Sequence, residues 1–90
     1  SMEHRRGVMT ILEMTALARN HWKKTNPEVY QRMVDNSDLE KEAVAAANLT
    51  QMEMNTLMKG GMSEAEAWQA SRHLFIFADA DSIAREYNVP

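Results

Sequence analysis

Three times in this chain a serine or threonine stands three residues ahead of a glutamate, at the head of a stretch with apolar periodicity. The pairs are Thr10 with Glu13, Ser37 with Glu40, and Ser63 with Glu66. Each reads as a capping box: the hydroxyl accepts from a first-turn amide that has no helical partner, and the glutamate reaches back to the cap's own N–H. A fourth start is written at Asn26-Pro27, with asparagine as the cap and proline at the first helical position, where no N–H is needed. Four starts in ninety residues leave room only for short joints, and no alternating strand pattern competes. The expected fold is all-α, a small bundle of four to five helices.

Helical spacing fills in each segment. The first helix carries Ile11, Met14, Leu17, Ala18 and Trp22 and ends near Lys24; the second carries Val29, Tyr30, Met33 and Val34 and closes at Asn36. The third is the longest, from Ser37 to about Lys59, with a main stripe of Leu39, Ala43, Ala46, Ala47, Thr50, Met54, Leu57 and Met58. Ala45, Leu49 and Met52 lie nearly opposite at 100° per residue, and a small surface helix needs only one apolar stripe. Gly60-Gly61 stops this helix, which predicts an antiparallel hairpin with the fourth. The fourth carries Ala67, Trp68, Ser71, Leu74, Phe75 and Ala78 on one side. Residues 74–77 are apolar all round, so periodicity leaves helix and extended chain both open there. Asp79 or Asp81 caps a last short helix with Ile83, Ala84 and Tyr87. Trp22, Leu57, Trp68, Leu74 and Phe75 are the expected core.

Composition bounds what such a fold does. The chain is 44% hydrophobic, enough for one domain; at this length it buries about 60–65% of its extended-chain surface. It has no cysteine, which excludes a disulfide scaffold and thiolate metal sites. No apolar run approaches a membrane span and no signal-peptide pattern appears, so a cytoplasmic protein without membrane contact is expected. Ser1-Met2 reads as an expression remnant and Met9 as a natural start. Residues 1–9 are therefore expected to be a tag-derived or disordered arm, and 10–90 a single helical domain. The net charge of −3 divides into a basic first segment with Arg5, Arg6, Arg19, Lys23 and Lys24, and an acidic body.

Chemistry has little to work with. His4, His21 and His73 stand on three segments with no metal-ligand spacing. His21 falls inside the first helix's apolar stripe and reads as a half-buried side chain. The pairs Glu40 and Glu42, Glu64 and Glu66, and Asp79 and Asp81 are each two residues apart, which turns them to different helix faces. No catalytic residue, metal ligand or cofactor site emerges, and an enzyme is not expected. The run Arg19, His21, Trp22, Lys23, Lys24 sets base beside aromatic; Arg19, Lys23 and Lys24 are the candidate nucleic-acid contacts. Eight methionines are an unusual count, and Met52, Met54, Met58 and Met62 crowd the end of the long helix. Methionine fills irregular gaps and also recurs on adaptable binding surfaces.

The stretches ALARNHWKKTNPEVYQRMVDN (16–36) and LTQMEMNTLMKGGMSEAEAWQASRHLFIF (49–77) resemble a family of small proteins from phages and mobile elements. The layout is similar to that of the transposon-encoded TnpV proteins: a basic-aromatic segment, a helix starting at a proline near a tyrosine, a long polar helix, an acid-rich turn and a tryptophan helix. Trp22, Pro27, Tyr30, Gly61, Ala67 and Trp68 match that pattern, and all six read as structural. Beyond residue 78 the chain departs from it, offering another helix in FADADSIAREYNVP. The resemblance implies a mobile-element or phage setting and carries over no catalytic residue. The resulting expectation is a non-catalytic interaction module that self-associates through Ala45, Leu49, Met52, Met58 and Met62. It forms a homo-oligomer or binds a host or element-encoded protein; the alternative is a nucleic-acid-binding accessory using the basic N-terminal segment.

Overall fold

A computed structural model describes residues 9–77. Residues 1–8 of the expected arm, Ala78 and the last short helix expected from Asp79 onward lie outside the described residues. Met9, expected to belong to the arm, packs partly buried against the core instead. Within them are four helices and no strand: α1 (Ile11–Thr25), α2 (Pro27–Asp35), α3 (Leu39–Lys59) and α4 (Glu64–Phe75).

Two of the three expected capping boxes form. The Thr10 hydroxyl accepts from the Glu13 N–H at 3.1 Å, and the Thr10 N–H donates to Glu13 Oε1 at 2.9 Å. Ser63 and Glu66 repeat this at 3.1 and 2.9 Å. The Ser63 N–H and hydroxyl hold the Glu66 carboxyl below the usual carboxylate range. Asn26 serves two helices: its N–H closes α1 on the Trp22 carbonyl at 2.8 Å, and its side chain accepts from the Val29 N–H at 3.2 Å.

The box expected at Ser37 and Glu40 does not form. Ser37 instead terminates α2, donating its N–H to Val34 O at 3.0 Å while Asp38 donates to Met33 O at 2.7 Å. That pair of bonds is the Schellman ending, which needs its middle residue in the left-handed region, and Ser37 sits there at φ 61°. A residue with this backbone cannot also take the extended conformation of an N-cap, so Asp38 caps α3, without a side-chain bond. Glu40 turns to Arg19 of α1 and pairs with it at 2.9 Å. After α3 the same ending recurs with glycine: Gly61 has φ 112°, and Met62 donates back to Leu57 O at 3.1 Å.

α3 is the element the others share. α1 and α4 both pack along it, and α2 packs mainly on α1. Its inner face is small: Ala43, Ala46, Ala47 and Thr50, with Met54 beyond them, all buried. The Thr50 hydroxyl donates to Ala46 O at 2.8 Å and so enters the core satisfied. Trp22 and Trp68 fill the space against this face, with Met14, Met33 and Val29 wholly enclosed around them. Part of the high methionine count is therefore core filling.

Leu57 and Phe75 pack at the edge of the core, as partly buried side chains. Leu74, expected inside, is 52% exposed, while Ile76 is wholly buried. Seven helical residues fall about 20° short of two full turns, so Leu74 stands further round α4 than buried Ala67. Ile76 keeps helical backbone and donates to Arg72 O, and the Phe77 N–H reaches back five residues to the same carbonyl at 2.8 Å, which closes α4.

Two substitutions test this account by denaturant unfolding. Ser37→Gly should raise stability by about 0.5–1 kcal/mol, because glycine removes the left-handed penalty while adding some unfolded-state entropy. Ser71 is wholly buried on α4 and its hydroxyl has no hydrogen-bond partner. Ser71→Ala should therefore stabilise the protein by about 1 kcal/mol, and a loss of stability would mean that the hydroxyl is satisfied.

Candidate functional site

On α3 the face turned from the core follows its own spacing. Ala45, Leu49, Met52, Thr56 and Lys59 recur at steps of four and three, which keeps them in one strip, and all five are exposed. Leu49 is 44% and Met52 63% exposed. The Thr56 hydroxyl donates to Met52 O at 3.2 Å, so that residue adds its methyl group to the strip. Asn48 and Asn55 run along one edge, the latter accepting from the Gln51 amide at 3.1 Å.

Leu12, Val34, Met62 and Leu74 are also exposed, but each on a different segment. Scattered apolar residues of that kind are ordinary. Among the described residues only Leu49 and Met52 are large exposed apolar side chains one turn apart on one helix. Met58 packs against the core and turns away from the strip, and Met62 lies in the joint after Gly61. Of the five expected interface residues, three share a face and these two do not. Thr56 and Lys59 extend the strip and were missed; carrying the alternation of four and three onward from Met52 would have reached them.

The basic-aromatic run is taken apart by folding. Trp22 is buried against α3 and offers no face for a base to stack on. Arg19 is paired with Glu40, and Lys23 Nζ stands 5.9 Å from the centre of the Tyr30 ring. Lys23 and Lys24 are both exposed. His21 is half-buried, as its place on the stripe implied, and meets the Phe77 ring edge-on at 5.0 Å. Phe77 also approaches Trp68 and His73, each at 6.3 Å, tying the end of α1 to the end of α4. Among the described residues no group of three or more His, Asp or Glu side chains is placed to hold a metal ion. None of the helices described is long and apolar enough to cross a membrane.

No family model matches this chain, and neither a curated protein nor a solved structure shows significant similarity to it. The resemblance to mobile-element proteins therefore rests on the residues quoted for it.

The strip makes a prediction about side-chain reactivity. Limited peroxide treatment followed by peptide mass spectrometry should oxidise Met52 and Met62 well before Met14, Met33 and Met54, which are wholly buried. Equal rates at Met52 and Met54 would contradict the two-faced arrangement of α3.

Proposed function

We propose that this protein is a non-catalytic helical module that works by binding protein, first of all a second copy of itself, through the outer face of α3. The observation that carries the reading is the exposure of Leu49 and Met52 one turn apart, on a helix whose other face already supplies the core. Apolar side chains aligned this way on a helix invite another helix, because the same spacing lets a partner's side chains seat between them. The contact is small, which suits reversible association. The supporting frame is a small bundle in which α3 and α4 form an antiparallel hairpin across Gly60-Gly61. A cytoplasmic location is part of this reading. In the mobile-element setting that the resemblance implies, the same face would also meet a host or element-encoded protein.

Light scattering over a concentration series tests the reading. The protein should pass from monomer toward dimer. Leu49→Glu with Met52→Glu should hold it monomeric with its circular dichroism unchanged. A wild-type protein that stays monomeric and binds DNA with an affinity falling steeply with salt, lost on Lys23→Ala with Lys24→Ala, would favour the nucleic-acid accessory instead.

A further inference from the structure

We propose that the second copy lies antiparallel on α3, about a two-fold axis passing between residues 50 and 51. This rests on the reading that the outer face of α3 binds another copy, and it adds direction and register. With Glu42 included, the strip is Glu42, Ala45, Leu49, Met52, Thr56 and Lys59, at steps of three, four, three, four and three. That order of steps reads the same from either end, so a reversed copy meets the strip layer for layer. Leu49 faces Met52 of the second copy, Ala45 faces Thr56, and Glu42 faces Lys59. Each layer occurs twice, related by the axis.

Charge and size both select this direction. Glu42 stands half-buried near the start of α3, at the edge of the strip, and Lys59 is exposed at its end. Antiparallel pairing sets opposite charges together in both outer layers and opposes the two helix dipoles. A parallel pair in register would set Glu42 on Glu42 and Lys59 on Lys59, two like-charge layers, with the dipoles aligned. It would also stack alanine on alanine at one layer and threonine on threonine at another. The antiparallel pair places the smaller Ala45 opposite the larger Thr56 in both. Asn48 of one copy then lies beside Asn55 of the other along the edge, so the rim of the contact is polar and uncharged.

The chain has no cysteine, so introduced cysteines report the geometry without interference. Ala45→Cys and Thr56→Cys should form a disulfide with each other when the two variants are mixed and mildly oxidised, and neither should cross-link alone. In the antiparallel pair the two copies of residue 45 are eleven residues apart along the axis, about 16 Å, too far for a disulfide. Cross-linking of each variant with itself would overturn the proposal in favour of a parallel pair. A dimer by light scattering with no cross-link in the mixture would overturn the register, leaving self-association standing. A wild-type protein monomeric throughout would overturn both.

A second pair of variants needs no cysteine. Lys59→Glu should weaken dimerisation severalfold by facing carboxylates in both outer layers, and adding Glu42→Lys should restore it. Lys59→Glu without effect would contradict the pairing.

Discussion

Four small side chains on one face of α3, Ala43, Ala46, Ala47 and Thr50, govern how closely the other helices approach. Interhelical distance is set by the side chains at the contact, and a face this low draws the neighbours in. The volume must then come from the other side, and Trp22, Trp68 and Met14 supply it from α1 and α4. The two tryptophans are thus consequences of the alanines: a large residue on α3 would leave them no room, and a small one in their place would leave a cavity. Thr50 fits among the alanines only because its hydroxyl is bonded to its own helix.

The same constraint explains why α3 has two faces. A helix contacted on both flanks by α1 and α4 is central, yet with so few helices it is not enclosed. Among the described residues, Leu49 and Met52 stand outside the core, where polar residues would serve a monomer's solubility better. Ser37 and Gly61, both at positive φ, turn the chain at either end of α3.

Helix starts and stops were legible because caps are local chemistry. Thr10, Asn26, Gly61 and Ser63 do in the structure what their neighbours in sequence imply. Ser37 was misread because two local signals overlap there, and the demand of the α2 carbonyls for an ending outweighed a serine's capacity to cap. Leu74 was misplaced for a different reason: residues 74–77 are apolar all round, and only packing decides that Ile76 is enclosed while Leu74 is 52% exposed. At the candidate site, periodicity alone separated Ala45, Leu49 and Met52 from the core stripe. It did not assign Met58, which lies at the border of that stripe, nor show that Arg19 would be taken by Glu40. Those facts depend on which helix stands beside which.

The central claim is that α3 uses one face for the fold and the other for a second copy, and its methionines report on each face separately. With methionine methyl groups isotopically labelled, the Met52 methyl resonance should shift as the protein is diluted, while those of Met14, Met33 and Met54 stay fixed. Met52 unmoved across the range, or Met54 moving with it, would contradict the account.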